Sequence, residues 1–362
     1  MNLALTELRR RPSRFTVATV VLTFLSLLLL LLGGLLDGLY LGSTGAIRAQ
    51  QADVIVYSDS ARDSFLRSRI TPDMREVVEG VDGVTEVGGL GFTLLGATVP
   101  GESDLADVAV AGYELAPSGV PAPPPDGHAW ADDRLRDAGV AIGDTLLVGP
   151  AATPIVVDGW VEDTNYLLQG GLWVTLDTWR AVQNANRPDA FLADGVVQVL
   201  VVRGEGDIGP AIDAATGSTS SLTRDEAVNA LPGVKEQRST FNAIIYSTLA
   251  VVLAVVGLFF SLLTLERTGL YGVLKAIGAS TRRLFVGVVL QAVVVAVIAF
   301  VIGGALATLA DRALPAEVPL QLTTGRYVFT FVALIVAAVL GSAVSLRRVT
   351  RIDPASAIGS AA

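Results

Sequence analysis

Residues 239–265 read STFNAIIYSTLAVVLAVVGLFFSLLTL, residues 266–283 ERTGLYGVLKAIGASTRR, and residues 284–310 LFVGVVLQAVVVAVIAFVIGGALATLA. Two uncharged runs of 27 residues thus flank a short segment that holds Arg267, Lys275, Arg282 and Arg283 against Glu266. A helix needs about 20 apolar residues to cross roughly 30 Å of hydrocarbon, and each run exceeds that. Lipid offers the backbone no hydrogen-bond partner, so a run of this kind crosses as a helix. Two further uncharged runs complete the set, residues 15–36 between Arg14 and Asp37 and residues 327–346 between Arg326 and Arg347. The sequence therefore predicts four membrane-spanning helices.

The basic residues orient them. Arg9, Arg10, Arg11 and Arg14 precede the first span, and Arg347, Arg348 and Arg351 follow the last. The connection 311–326 holds only Arg312 and Arg326 against Asp311 and Glu317. By the positive-inside rule both termini and residues 266–283 are expected to be cytoplasmic. The resulting plan has a cytoplasmic N-terminus (1–14) and helix 1 with its outer extension (15–51). An extracytoplasmic domain (52–238), helix 2 (239–265) and a cytoplasmic coupling segment (266–283) follow. Helix 3 (284–310), an outer loop (311–326), helix 4 (327–346) and a cytoplasmic tail (347–362) complete it. A cleaved signal peptide fits residues 1–36 poorly. The apolar run is too long for an h-region, and no small-x-small site directly follows Leu36.

Composition agrees with a mixed protein. Of 362 residues, 51% are hydrophobic and only 17% charged, at a mean hydropathy of +0.56. Residues 37–238 carry 13 basic and 30 acidic side chains, a net −17. A domain so acidic repels nucleic acid, so none is expected as a partner. There is no cysteine, which excludes disulfides and thiolate metal sites, and the single histidine, His128, cannot build a zinc site by itself. Phosphate-loop, GxSxG and HExxH motifs are absent. Nor do the four spans contain an interior ionisable residue of the kind that ion-coupled transport uses. The chain is expected not to be an enzyme, and to take its energy from a partner.

Within the large domain the pattern predicts strands at 53–58, 84–87, 94–99, 108–112, 146–148, 155–160, 172–175 and 196–202. A helix begins at Thr71-Pro72 with Met74, Val77 and Val78 on its apolar face, and short helices cover 207–215 and 223–231. Residues 121–126 and 216–221 read as loops. The fold class is an α-helical membrane protein with four transmembrane helices plus an α+β extracytoplasmic domain inserted between helices 1 and 2.

The segment 266–283 has a pattern of its own. Leu270, Val273, Leu274 and Ile277 fall on one helical face, Gly278 stops the helix and Ser280 caps the next. This is either an interfacial turn or a docking helix for a cytoplasmic partner. Resemblance bears on the choice. LERTGLYGVLKAIGASTRRLF (265–285) resembles the coupling-helix signature of MacB/LolC/FtsX-type ABC transporter permeases. The four-span layout and the tail IDPASAIG (352–359) are similar to the same superfamily. MNLALTELRRRPSRF (1–15), STGAIRAQQADVIVYSDSARDSFLRSRI (43–70), GVAIGDTLLVG (139–149), VDGWVEDTNYLLQGGLWVTLDTW (157–179) and LPGVKEQRSTFNAII (231–245) resemble the haem-exporter (HrtB) and DevC group within it.

The resemblance implies a homodimer in a bacterial cytoplasmic membrane, carrying two copies of a cytoplasmic ABC ATPase that binds Mg-ATP. Leu270, Val273, Leu274, Lys275, Ile277 and Gly278 would couple to that ATPase. Haem, or another amphipathic compound drawn from membrane lipid, would be cargo rather than cofactor; a lipid, lipopeptide or antibiotic is the alternative cargo. A non-transporting mechanotransmitter that governs a cell-wall hydrolase is an alternative of another class. Haem wants aromatic faces and an arginine for its carboxylates, which singles out Tyr40, Arg48, Arg238, Phe241 and Tyr246 near the span ends. Read more plainly, the tyrosines are interfacial aromatics and the arginines anchor helix ends. Met74 and His128 are weaker candidate iron ligands, Met74 reading rather as core on its apolar helix face, and Gly33-Gly34 and Gly257 either permit close helix approach at a dimer interface or are simply tolerated in lipid.

Overall fold

A computed structural model describes residues 12–266, 277, 280–315 and 318–350. Four helices are long and apolar enough to cross a membrane: α1 (Pro12–Arg48), α6 (Val234–Leu265), α7 (Thr281–Ala313) and α8 (Thr324–Thr350). The protein is thus a multi-pass membrane protein. Each helix outruns its apolar stretch, because polar residues such as those of 234–238 continue a helix in water as readily as apolar ones do in lipid. The chain divides into two compact units, Met1–Gly38 with Ser239–Ala362, and Leu39–Arg238.

In the first unit α1, α6, α7 and α8 bury one cluster, with Leu22, Val252, Phe260, Ala292 and Leu334 almost fully enclosed. Small residues bring the helices close. A Cβ on Gly303 would lie 3.0 Å from Ser26 of α1, and one on Gly341 would lie 2.9 Å from Leu253 O of α6.

The second unit is built on β1 (Val54–Ser58), β2 (Val84–Thr98), β3 (Leu105–Tyr113), β4 (His128–Asp132), β5 (Thr145–Val148), β6 (Thr153–Val161), β7 (Gly170–Val174), β8 (Val199–Gly204) and β9 (Thr219–Thr223). Strand order is β3-β7-β4-β6-β5-β2-β8-β1-β9, and β3 also pairs with β2. That extra pairing closes six strands into a barrel. The 15 residues of β2 serve two neighbours on one side, β8 at Val84–Leu90 and β5 at Ala97–Thr98. Helices α2 (Pro72–Glu79), α3 (Leu176–Asn186), α4 (Ile208–Thr216) and α5 (Arg224–Ala230) belong to the same unit.

Three departures from the sequence pattern have physical causes. The strands predicted at 84–87 and 94–99 are one, running through Gly88-Gly89-Leu90-Gly91. Gly91 faces Gly112 across the ladder, and a Cβ on either would overlap Trp179 of α3, so the glycines form the slot for a fully buried indole. Its Nε1 donates to Thr93 Oγ1 at 2.9 Å. Strand β9, TSSLT, lies partly within the predicted loop 216–221. It has no apolar alternation because it is the sheet's edge, paired only with β1. On α2, Val78 is buried and Met74 packs against the core, whereas Val77 is 42% exposed.

Candidate functional site

The end of α1 is a good helix with two gaps in its surface. Residues 39–48 read LYLGSTGAIR, in which Thr44 Oγ1 bonds back to Tyr40 O at 2.6 Å and Arg48 closes the last turn. Gly42 and Gly45 leave the backbone bare. A Cβ on Gly45 would sit 2.5 Å from Asp163 O. Into that space the loop Asp163–Gln169 inserts its own backbone. Leu167 N–H donates to Ser43 O at 3.1 Å, Leu168 N–H to Gly42 O at 2.9 Å, and Ala46 N–H to Asn165 O at 2.9 Å. To present these groups Asp163, Leu167 and Leu168 adopt left-handed φ of 55°, 51° and 69°. Such geometry is uncommon for residues with a side chain and persists only where the surroundings hold it.

Asp132 supplies part of that hold. Its fully buried carboxylate accepts from Thr164 N–H at 2.8 Å and Thr164 Oγ1 at 2.7 Å. Burial raises its pKa above the usual carboxylate value, and the bonds from Thr164 and Arg134 oppose that rise. Ala46 and Ile47 are fully buried in the cluster that includes Ile55, Phe92 and Trp173. The last turns of α1 are therefore core of the large domain.

On this platform Tyr40, Arg48 and Arg238 come together. The Arg238 guanidinium carbon lies 5.2 Å and that of Arg48 5.9 Å from the Tyr40 ring centroid. Arg48 is spoken for: its Nε bonds Thr44 Oγ1 at 3.0 Å and its Nη2 bonds Asp163 Oδ1 at 2.7 Å. Arg238 is exposed and bonds the neutral Asn229 Oδ1 at 3.2 Å. Among the described residues no carboxylate pairs with Arg238. The arrangement places a half-buried aromatic ring beside an exposed guanidinium that pairs with no carboxylate among the described residues.

The remaining candidates fall elsewhere. Phe241 packs against the membrane cluster, and Tyr246 is 65% exposed on α6, where it lines an apolar groove with α8. Leu270, Val273, Leu274, Lys275 and Gly278 lie outside the described residues; Ile277 is described and is exposed. His128 Nδ1 meets Asp158 Oδ1 at 2.8 Å, and among the described residues no cluster of metal-ligating side chains occurs.

Sequence reasoning missed Asp163, 115 positions from Arg48, and the neutral Asn229, nine positions before Arg238, and missed a second fixture on α1. Asp37 accepts from Arg326 Nε at 3.1 Å and Thr323 Oγ1 at 3.1 Å, and Arg326 Nη2 also reaches it. A Cβ on Gly34 would lie 2.7 Å from Leu322 Cδ2, and one on Gly38 would overlap Pro319 O. Gly33 and Gly34 are thus covered within the chain by Arg326, Leu320 and Leu322. That is a correction to their reading as a surface for a second copy. The usable signal was Asp37 and Arg326, opposite charges each bordering an uncharged run.

Residues 242–354 match the model of the FtsX-like permease C-terminal family. The chain is 28% identical to an uncharacterized ABC transporter permease of Mycobacterium tuberculosis, over 98% of both chains. It is 22% identical, over 99% of both chains, to the putative hemin transport system permease protein HrtB of Staphylococcus epidermidis. Among solved structures it is similar to the periplasmic region of MacB from Actinobacillus actinomycetemcomitans. There the identity is 13% and the TM-score 0.35, over 50% of this chain and 92% of that one.

Proposed function

We propose, on the premise that this chain is an ABC transporter permease of the FtsX and MacB type, that it is the membrane subunit of an efflux pump for haem or a similarly amphipathic anion. The observation that carries this reading is the Tyr40 face beside the uncommitted Arg238. A haem edge would lay its ring against Tyr40 and give a propionate to Arg238 as a charge-assisted pair. Similarity along the whole chain to a protein named for hemin transport supports the choice of cargo. Phe241 and Tyr246 belong to the proposal as lipid-side residues that the cargo passes.

The sequence has no phosphate-binding loop, so Mg-ATP would bind to a separate ATPase, two copies serving a homodimer of this chain. Residues 266–283, with both termini on the cytoplasmic side, would receive the push of ATPase closure through Leu270, Val273, Leu274, Lys275, Ile277 and Gly278. Helix α1 would pass it on. Three backbone bonds and a buried last turn hold residues 42–48 in the large domain, and on this proposal that end of α1 is where the push would arrive. The same clamp favours one second reading, a mechanotransmitter that moves the domain without cargo.

Haemin titration of the purified permease–ATPase complex tests the first reading, with the Soret band and ATP hydrolysis followed together. A saturable shift, weakened about tenfold by Arg238→Ala (about 1.4 kcal/mol), is the expected result. No shift and no rate response would overturn haem export. ATP-dependent change in hydrogen exchange of residues 39–48 would then favour the mechanotransmitter.

A further inference from the structure

The membrane unit contains a groove between α6 and α8, lined by Tyr246, Leu253, Phe329, Ala333 and Leu340, with a volume of about 410 Å³. Apart from the Tyr246 hydroxyl no polar side chain lines it. Water needs two to four polar partners to occupy such a space, so water does not fill it. On α8 the groove runs from Phe329 to Leu340, roughly 16 Å at 1.5 Å per residue and about half the hydrocarbon thickness of a bilayer. A single methylene chain, whose carbons keep about 4 Å from their neighbours, is of the right size.

At the head of the groove stands an arginine whose charge Asp37 balances and which keeps one donor over. Arg326 stands three residues before Phe329, its guanidinium carbon 5.7 Å from that ring. Asp37 takes Nε and Nη2, and Nη1 has no hydrogen bond among the described residues. A phosphate could accept from it. We infer that this groove binds one acyl chain of a phospholipid, with its headgroup beside Arg326, in the leaflet that is the outer one in the orientation proposed above.

Photoactivatable phospholipid, with a diazirine on the acyl chain, tests this on the full chain in nanodiscs, the labelled peptides being mapped by mass spectrometry. Labelling should saturate, concentrate on residues 246–253 and 329–340, and yield to unlabelled phospholipid. Ala333→Trp, which fills the groove sterically, should lower it about tenfold, with labelling at the exposed Val301 on α7 unchanged. If that variant does not fold, Ala333→Leu carries the same test. Equal labelling of Leu258, Val301 and the groove, or no effect of either variant, would overturn the proposal. So would efficient disulfide-linked dimers of Ala333→Cys, clean in a chain without cysteine, which would put a second copy in the groove. The assay needs neither haemin nor ATP, so its failure leaves the efflux reading standing.

Discussion

Helix α1 is held in two places by two different chemistries. At Gly33–Gly38 it meets residues 319–326 through packing on bare backbone and an ion pair whose side chains are only 22% and 14% exposed. At Gly42–Arg48 it meets residues 163–169 through three backbone hydrogen bonds, with an ion pair whose aspartate is 57% exposed. In the first grip close fit and a shielded charge pair supply the energy. In the second the backbone does, and the charges add little. The difference follows from solvent: where water is scarce a charge must be paired, and where water is near the pair is screened.

The sharpest way to break the contrast is Gly38→Leu. Its side chain has no room against Pro319 O, a backbone atom, and overpacking of this kind costs about 3 kcal/mol. Thermal unfolding of the detergent-purified chain should show a clearly lowered midpoint; an unaltered one would mean the 319–326 contact does not form. Asp37→Ala comes next. It leaves the Arg326 charge partly buried without its carboxylate, at about 2 kcal/mol once residual exposure is allowed for. Adding Arg326→Ala should restore part of that loss, and strict additivity of the two changes would deny the coupling. The smallest effect is expected from Asp163→Ala, about 0.5 kcal/mol, because an exposed carboxylate contributes little. A loss there as large as that of Asp37→Ala would erase the distinction between the grips.

Much of the fold was legible beforehand. The uncharged runs marked the spans because burial in lipid demands them, and short apolar stretches marked β1, β3, β5, β6, β7 and β8. What escaped were elements whose partners are distant in sequence. Strand β4 follows a Pro-rich loop and is seen only through its pairing with β6 and β7. Strand β9 is polar, and α3 became intelligible once Trp179 was seen to fill the slot between Gly91 and Gly112. For the candidate site, Tyr40, Arg48 and Arg238 were chosen for proximity to span ends, and the structure adds which arginine is already occupied. Asp163 lies 115 positions from Arg48, so no local pattern could pair them.

The sequence alone determined how many helices can cross a membrane and that the chain has no phosphate-binding loop or cysteine chemistry of its own. Those properties depend on length, hydropathy and residue type, which need no neighbours to be read. The tertiary structure alone decided that the last turns of α1 are core of the large domain, that among the described residues no carboxylate pairs with Arg238, and that Gly33 and Gly34 are covered. Those outcomes depend on which distant atoms fill a given space, and only the folded chain brings them there.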